Sequence, residues 1–219
     1  QKTAYEMCGR DWSSDVCSSD LKDHGLLSFN DTLDLQRLYV NKVKLDRTKK
    51  FLIIVEHEHV YTIGKNSNIQ ISEINNISVI KTERGGDITY HGPGQLVVYP
   101  IFNLNQFKIG PKKYIQFLEE IIICCLKTFN IDASTQQKLP GVWIKDRKIA
   151  SIGVRILQGI TFHGLALNVK TDLNYFDKIS ACGIDNLVTT SICKELGKDI
   201  AVDDIKDSIV KNFQKLMHI

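Results

Sequence analysis

Apolar residues recur at helical spacing in three long segments of the chain. The first begins at a cap on Asn30 or Asp31 and continues to about residue 45. The second opens at Gly110-Pro111 and runs through residue 129, and the third covers residues 202–217. Their inner apolar positions are Leu35, Leu38 and Val43 in the first, Tyr114, Ile115, Leu118, Ile121, Ile122, Cys125 and Leu126 in the second, and Ile205, Ile209, Phe213 and Leu216 in the third.

Short apolar runs rich in β-branched residues lie between these helices. The runs at residues 51–56, 77–80 and 96–103 predict strands, and Pro100 near the end of the last run favours an edge strand or a bulge. Residues 142–169, divided by two polar turns, predict two hairpins. Since strands and helices interleave without a strict β-α-β order, we expect one α+β domain.

Residues 1–21 differ from the rest of the chain. They are rich in Ser and Asp, and they sustain neither the helical nor the strand period. We interpret this segment as foreign to the fold, either disordered or a cloning or sequencing artefact, with a native tail as the alternative. The folded domain is then predicted at residues 22–219.

Composition and charge exclude several classes of protein. With 43% hydrophobic and 24% charged residues, the 219-residue chain has ordinary globular usage. Its net charge of +3, with Lys49-Lys50 as the longest basic cluster, is too mild to indicate a nucleic-acid partner. The longest apolar run, residues 121–126, is far too short for a membrane span, and the first residues lack the apolar core of a secretory signal. We therefore expect a soluble, cytoplasmic protein.

Residues 84–95, RGGDITYHGPGQ, are the most informative stretch, because they hold four of the 14 glycines. Glycine permits positive φ and lets the main chain approach a ligand closely, while Arg84, Thr89, Tyr90 and His91 add polar groups. The stretch lacks the Gly-Lys-Ser/Thr ending of a P-loop and the G-x-G-x-x-G spacing of a dinucleotide site. It is a candidate ligand-binding loop, and a tight hairpin turn is the alternative.

Lys148 and Cys182 are candidates for chemistry. Lys148 precedes a predicted strand and shares its apolar face, so it either extends towards water, the commoner case, or is buried and usable as a base. Cys182 lies between Ala181 and Gly183 in a predicted loop, where a thiol is accessible and becomes a nucleophile if a base is near. An unremarkable loop cysteine is the alternative.

The histidines do not predict a metal site. His57 and His59 resemble a pair of ligands, but no third ligand group converges with them and the chain has no C-x-x-C pair. His163, inside a predicted strand, is typical of a hydrogen-bonded structural histidine.

Several separated motifs resemble one known family. The string RGGDITYHGPGQLVVYP, residues 84–100, closely resembles the signature of the lipoyl(octanoyl) transferases. The resemblance extends to Glu56-His57, Thr62-x-Gly64, LPGVW at 139–143, KIASIG at 148–153, FHGLALN at 162–168 and ACG at 181–183. Because the motifs keep their order over about residues 25–219, the resemblance is specific.

The resemblance implies a fold and a reaction. The fold is that of biotin and lipoate protein ligases, a single domain with a mixed β-sheet flanked by helices. The reaction moves an octanoyl group from octanoyl–acyl carrier protein to a lysine on lipoyl domains, either of 2-oxoacid dehydrogenase E2 subunits or of the glycine-cleavage H protein. The resemblance implies no metal, no ATP and no other cofactor. Family members begin with a strand before the residues matching residues 25–30, so an artefactual segment 1–21 predicts that an edge strand is missing.

The resemblance also implies residue roles. Cys182 is the acyl-accepting nucleophile, and Lys148 is the residue that favours its thiolate form. Since a thioester is already activated, a thiolate exchanges with it without ATP. The implied substrate-binding residues are Arg84, Gly85, Gly86, Asp87, Ile88, Thr89, Tyr90, His91, Ser151, Ile152, Gly153, Gly164, Leu165 and Ala166.

Two alternative functions stay open at this point. One is an ATP-dependent lipoate or biotin protein ligase of the same fold, which forms an acyl-adenylate and needs no nucleophilic cysteine. The other is a non-catalytic protein that holds an acyl group or an acyl-carrier partner.

Overall fold

The computed structural model of the protein describes residues 21–65, 67–137, 139–179 and 187–217, with side chains up to residue 215. The expectations about residues 1–20, about Cys182 and about the Leu216 side chain lie outside the described residues.

The described residues form eleven strands, four α-helices and two 3-10 helices. The strands are β1 Leu21–Leu27, β2 Phe51–His57, β3 Val60–Ile63, β4 Glu73–Ile74, β5 Ile77–Lys81, β6 Thr89–His91, β7 Gln95–Ile101, β8 Ser134–Gln136, β9 Leu139–Ile144, β10 Arg147–Leu157 and β11 Ile160–Asn168. The α-helices are α1 Phe29–Leu45, α2 Pro111–Thr128, α3 Ile192–Leu196 and α4 Val202–Met217, and the 3-10 helices are Leu104–Phe107 and Leu173–Lys178.

Two sheets organise the described strands. Seven strands in the order β1-β2-β7-β11-β10-β9-β8 form a mixed sheet, in which β1 pairs parallel to β2 and the other neighbours pair antiparallel. The order β4-β5-β3-β6 forms a smaller sheet, and β6 leads into β7 through the end of the glycine-rich stretch. Strands and helices interleave as the α+β prediction requires.

Helices cover both faces of the seven-stranded sheet, because the apolar residues of its central strands alternate between the faces. On one face, Val97 and Tyr99 of β7 pack in a core with Tyr39, Val40 and Val43 of α1. On the other face, the neighbouring β7 residues Leu96 and Val98 share a larger core with α2 and α4. That core receives Leu118, Ile121 and Ile122 from α2 and Ile205, Ile209 and Phe213 from α4.

The helix predictions are confirmed in extent, but the first helix begins earlier than expected. Its N-cap is Ser28, whose side chain accepts a hydrogen bond from the Asp31 main-chain N–H, so a cap at Asn30 or Asp31 is wrong. Leu38 is 49% exposed, and the inner side of α1 instead holds the buried Gln36, which the apolar pattern did not include.

Pro100 lies in a central strand, so the edge-strand expectation is wrong. β7 pairs with β2 along its length, including Leu52 opposite Pro100. Its ladder with β11, however, ends at Val98 opposite Leu165. Pro100 is therefore tolerated because β7 has lost one of its two strand neighbours where the proline occurs.

The expected absence of an edge strand is also wrong for this chain. β1 occupies that edge beside β2, with Leu21 opposite Leu52. Since Leu21 belongs to β1, the folded part of the chain includes the last residue of the segment that we interpreted as foreign. Among the described residues, no helix has the length and the apolar character that crossing a membrane requires.

Candidate active site

Small side chains form the floor of a trough on the large sheet. Ser151 and Gly153 of β10 lie opposite Ala166 and Gly164 of β11, and alternate residues of a strand project to the same face. Val97 of β7 continues the row beside Ala166. Ser151 and Ala166 leave space that longer side chains would fill, whereas the glycines admit neighbouring groups of the protein: a Cβ on Gly153 would meet Arg84 Cδ, and a Cβ on Gly164 would meet the Val98 carbonyl oxygen.

A cavity of about 270 Å³ lies over this trough. Its wall on one side is the glycine-rich stretch, and on the other it is β10, which carries Lys148. The lining residues are Phe29, Arg84, Gly85, Gly86, Asp87, Ile88, Thr89, His91, Val97, Tyr99, Ile115, Leu139, Pro140, Lys148, Ser151, Ile152, Gly153, Val154, His163, Gly164, Leu165 and Ala166. A largely apolar cavity with a few polar groups at one end suits a ligand with an aliphatic chain.

The glycine-rich stretch is held against the cavity by close main-chain contacts. A Cβ on Gly64 would stand 1.7 Å from the Gly86 carbonyl oxygen, and a Cβ on Gly153 would stand 2.8 Å from Cδ of Arg84. The Gly85 main-chain N–H donates to the Val154 carbonyl oxygen at 3.0 Å. Glycine is therefore required at residues 64 and 153, on the elements that flank the loop.

Arg84 is buried, and its guanidinium binds groups of the protein. Nη2 donates to the Thr62 carbonyl oxygen at 2.7 Å and to Thr62 Oγ1 at 2.9 Å, while Nη1 donates to the Gly85 carbonyl oxygen at 3.0 Å. These charge-assisted bonds fix the start of the loop. They also place a permanent positive charge at the wall of the cavity.

A hydrogen-bond chain fixes the tautomer of His91. Gln95 Nε2 donates to the Tyr90 carbonyl oxygen and to Asn168 Oδ1, so Gln95 Oε1 faces His91 and accepts from His91 Nδ1–H at 2.7 Å. His91 Nε2 is then an acceptor, and Thr62 Oγ1 lies 3.3 Å from it.

Three buried histidines near the cavity are held neutral. Burial lowers the pKa of His57 to about 4, and burial together with the charge of Arg84 lowers the pKa of His163 to about 3. Burial, with the neighbouring charges of His57 and Arg84, also lowers the pKa of His91 well below its usual value. Neutral imidazoles offer hydrogen-bond acceptors without adding charge to the site.

Each of these rings has a defined environment. His57 donates from Nδ1 to the Leu27 carbonyl oxygen, so its Nε2 accepts from the Tyr99 hydroxyl at 2.7 Å. Among the described residues, Nε2 of His163 has no hydrogen-bond partner, and His163 lines the cavity. The expectation of a fully hydrogen-bonded structural histidine is therefore wrong at that nitrogen.

Lys148 is buried, so the expectation that it extends towards water is wrong. Its side chain is 4% exposed, lines the cavity and lies with Nζ 5.3 Å from the centre of the Trp143 ring. A register shift separates Lys148 from Ala150 in the ladder with β9, so the two do not follow the simple alternation of the sequence pattern. The bulge turns the Lys148 side chain away from the direction that simple alternation along the strand would give it.

The main chain of Lys148 is bound to residues 188–190, which follow Cys182 in the sequence. Its N–H donates to the Val188 carbonyl oxygen at 2.9 Å, and its carbonyl oxygen accepts from the Thr190 N–H at 2.9 Å. Asn168 Nδ2 donates to the Thr190 carbonyl oxygen at 3.0 Å. Through Gln95 and Asn168, this segment is joined to the glycine-rich stretch.

All but one of the predicted site residues that the structure describes line the cavity. Tyr90 does not line it; its hydroxyl lies 2.7 Å from His59 Nδ1 and its ring stacks on Tyr175 at 4.6 Å, in the core of the smaller sheet. The predicted residues that do line it are Lys148, Arg84, Gly85, Gly86, Asp87, Ile88, Thr89, His91, Ser151, Ile152, Gly153, Gly164, Leu165 and Ala166.

Sequence reasoning missed several lining residues. Phe29 stacks on His91 with the rings 6.2 Å apart, and Tyr99 carries the hydroxyl bound to His57. Tyr99, Val97, Ile115 and Val154 occur in apolar patterns that predict core positions, so no local signal separates them from ordinary packing residues. Phe29, Leu139 and Pro140 lie just before predicted elements, where no pattern marks them.

Within residues 21–65, 67–137, 139–179 and 187–217, no group of three His, Cys, Asp or Glu side chains is arranged to hold a metal ion. The two candidate ligands each form a hydrogen bond with a tyrosine instead: His57 with Tyr99, and His59 with Tyr90.

Comparison with known families gives a match over most of the chain. Residues 28–214 match the model of the lipoyl protein ligase A/B catalytic domain. An octanoyltransferase of Caldanaerobacter subterraneus subsp. tengcongensis is 39% identical over 202 residues, which cover 89% of this chain and 88% of that protein. An octanoyltransferase of Cytophaga hutchinsonii is 44% identical over 182 residues, or 77% of this chain and 75% of that protein.

Solved structures share the fold. A lipoate-protein ligase A bound with ATP superposes with a TM-score of 0.73 at 16% identity, covering 91% of this chain and 85% of that one. A biotin protein ligase from Aquifex aeolicus gives a TM-score of 0.55 at 11% identity, covering 90% and 70%. The predicted α+β fold of biotin and lipoate protein ligases is confirmed.

Proposed function

The chain belongs to the lipoyl protein ligase A/B catalytic domain family, and we propose that it transfers octanoyl from octanoyl–acyl carrier protein to a lipoyl-domain lysine through a thioester on Cys182. The enzyme class follows from relatives about 40% identical over most of the chain: the protein is an octanoyltransferase, an acyltransferase of protein lipoylation. The donor, the covalent intermediate and the individual acceptors are the proposal.

The observation that carries the proposal is the buried Lys148 at the wall of an apolar cavity. A lysine that is 4% exposed beside a trough of small residues is available to a ligand and shielded from bulk water. Its main chain pairs with residues 188–190, and Cys182 precedes Val188 by six residues. Six residues span at most about 20 Å, so the chain length between Val188 and Cys182 is compatible with a Cys182 thiol at the cavity.

The first half-reaction forms the thioester. Lys148 takes the Cys182 proton, and the resulting thiolate attacks the thioester carbonyl carbon of the donor. The tetrahedral oxyanion is stabilised by main-chain N–H groups of the glycine-rich segments. When it collapses, the bond to the carrier sulfur breaks, and the carrier thiolate takes the proton from the Lys148 ammonium.

The second half-reaction forms the amide. The amine of the acceptor lysine attacks the Cys182 thioester, neutral Lys148 accepts the proton that the amine loses, and the Cys182 thiolate leaves. No ATP is consumed, because the thioester supplies the activation. No step requires a metal.

The trough formed by Ser151, Gly153, Gly164 and Ala166 accommodates the acyl chain in this proposal. Burying each methylene contributes about 0.8 kcal/mol, so an eight-carbon chain gains several kcal/mol from an apolar trough. The acceptors are lipoyl domains of 2-oxoacid dehydrogenase E2 subunits and the glycine-cleavage H protein. The enzyme then works where these proteins occur, in the bacterial cytoplasm or in a mitochondrial or plastid matrix.

Intact-mass measurement tests the proposal. The purified protein is mixed with octanoyl–acyl carrier protein without ATP, beside the Cys182→Ser and Lys148→Met variants. We expect one octanoyl adduct on the wild type that hydroxylamine removes, no adduct on Cys182→Ser and greatly slowed adduct formation on Lys148→Met.

Two results would overturn the proposal. An adduct that survives in Cys182→Ser places the nucleophile elsewhere. Transfer that occurs only from octanoate and ATP identifies a ligase instead.

A further inference from the structure

Glu119 is a buried carboxylic acid on the apolar side of α2. The residue is 8% exposed, and its neighbours in the helix, Leu118 and Ile122, are fully buried. Burial of a carboxylate is unfavourable unless hydrogen bonds or an opposite charge compensate. The pKa of Glu119 is raised, because burial and the charge of Glu120 raise it by more than the Gly141 N–H and the charge of Lys148 lower it.

Gly141 connects Glu119 to Lys148. Glu119 Oε1 accepts a hydrogen bond from the Gly141 main-chain N–H at 3.2 Å. A Cβ on Gly141 would stand 2.7 Å from Cε and 3.4 Å from Nζ of Lys148. The end of the Lys148 side chain therefore passes directly over the residue that Glu119 binds, and glycine at this position leaves the space for it.

From this geometry we propose that Glu119 is a positioning residue that acts through Lys148. Its carboxylate holds the Gly141 main chain under the lysine side chain and serves as the buried counter-charge for the ammonium form. Since that ammonium form stabilises a thiolate, Glu119 favours the reactive ion pair over the neutral thiol and amine. The inference rests on the proposed role of Lys148 and adds a residue that does not line the cavity.

The other charged groups around Lys148 are accounted for. From β9, the neighbour is the uncharged Trp143 ring, and the paired residues 188–190 carry no charge. Arg84 and Asp87 line the same cavity from the glycine-rich stretch. Arg147 and Glu195 bind each other through two hydrogen bonds of 3.0 and 2.9 Å. From α2 come two carboxyl groups, Glu119, which interacts with Lys148, and the adjacent Glu120, whose charge raises the pKa of Glu119.

Glu119→Gln isolates the charge, because its amide oxygen still accepts from the Gly141 N–H. Glu120→Gln is the comparison variant at the next, also partly buried residue. Glu120 interacts with the charge of Lys113, and its own charge raises the pKa of Glu119, so removing it favours the Glu119 carboxylate where Glu119→Gln deletes that carboxylate. The measurements are kcat and KM for octanoyl transfer from octanoyl–acyl carrier protein, the rate of adduct formation between pH 6 and 9, and urea unfolding.

We expect Glu119→Gln to lower the plateau rate of adduct formation about tenfold, with KM for the donor unchanged. The acid limb of its pH profile moves to lower pH, because removing a buried negative charge beside the reacting groups makes loss of a proton from the site easier. If Glu119 has only a structural role, its replacement lowers the plateau rate of adduct formation without moving the acid limb of the pH profile. Glu120→Gln keeps the wild-type rate and profile.

The inference is overturned if wild type forms the adduct and Glu119→Gln matches Glu120→Gln in rate and profile. It is also overturned if the plateau falls while the acid limb stays in place. Failure of the proposed function has a different signature, since wild type then forms no adduct or Lys148→Met forms it at the wild-type rate.

Discussion

The side-chain amide of Gln95 donates a hydrogen bond of 2.9 Å to the amide oxygen of Asn168, at the ends of two neighbouring central strands. Gln95 also binds His91, and Asn168 also binds the Thr190 carbonyl oxygen. Thr190 in turn donates its N–H to the Lys148 carbonyl oxygen. One buried contact thus joins the ligand-facing loop to the strand that carries the candidate base.

Replacing Asn168 by Ala breaks this connection. Gln95 Nε2 loses one of its acceptors and the Thr190 carbonyl oxygen loses a donor, and each buried group left unsatisfied costs about 1–3 kcal/mol. We expect the free energy of unfolding to fall by about 3 kcal/mol and adduct formation to slow more than tenfold. Urea denaturation and intact mass measure the two effects. Asn174→Ala, at an exposed position, is the control, and an equal loss in both variants contradicts the argument.

Gly64 is a second position where the structure predicts a large effect. A side chain there meets the Gly86 carbonyl oxygen at a distance that no real contact permits, so the main chain of residues 84–87 must move. We expect Gly64→Ser to reduce transfer at least a hundredfold and to destabilise the fold by several kcal/mol. Gly110→Ser adds the same atoms where nothing lies within 4 Å and where serine is a good helix N-cap. Its stability and activity should equal those of wild type.

Helix extents and most of the long strands were predictable, because one face of each element is buried and leaves a periodic signal. The exceptions have physical causes. Ser28 caps α1 through its side chain before the predicted cap positions, and Leu38 is exposed because the buried face of α1 runs through Gln36, Tyr39, Val40 and Val43. β1 was missed because its residues are mostly half-buried or exposed and show no alternation.

The candidate site was predictable only in part. The family motifs include its glycines and Lys148, but the burial of Lys148 depends on a bulge before Ala150 that no local pattern encodes. The trough depends on the register of β10 against β11, which sets Ser151 opposite Ala166. Glu119 is not among the inner positions that the apolar period of α2 predicts, so only its burial and its contact with Gly141 reveal it.

The buried histidines predict a pH dependence of stability. His57 and His163 have folded-state pKa values of about 4 and about 3, below the unfolded value of about 6.5. As pH falls below 6.5, the unfolded chain binds protons that the folded chain does not, so the free energy of unfolding decreases down to the folded-state pKa. Each histidine contributes a slope of about 1.4 kcal/mol per pH unit in this window. Glu119, whose pKa is raised, acts in the opposite sense.

Urea unfolding at pH 7.5, 6.5, 5.5 and 4.5 measures this slope. We expect stability to be nearly constant between the first two values and to fall steeply over the last two. In His57→Gln the slope between pH 6 and 4.5 should be smaller by about 1.4 kcal/mol per pH unit. An unchanged slope in that variant shows that His57 takes up its proton in the folded protein as readily as in the unfolded chain.

Filling the trough should shorten the acyl chain that the enzyme accepts. Ala166 lies on the trough floor between Ser151 and Val97, so Ala166→Leu adds three carbon atoms to the space proposed for the octanoyl chain. Excluding about three methylenes costs about 2 kcal/mol, which corresponds to about a thirtyfold loss in kcat/KM for an octanoyl thioester. A butyryl thioester, which is four carbons shorter and fills less of the trough, should lose less than threefold. Ala201→Leu, at an exposed position, controls for the substitution itself. Equal losses for the two chain lengths in a folded Ala166→Leu variant would place the acyl chain outside this trough.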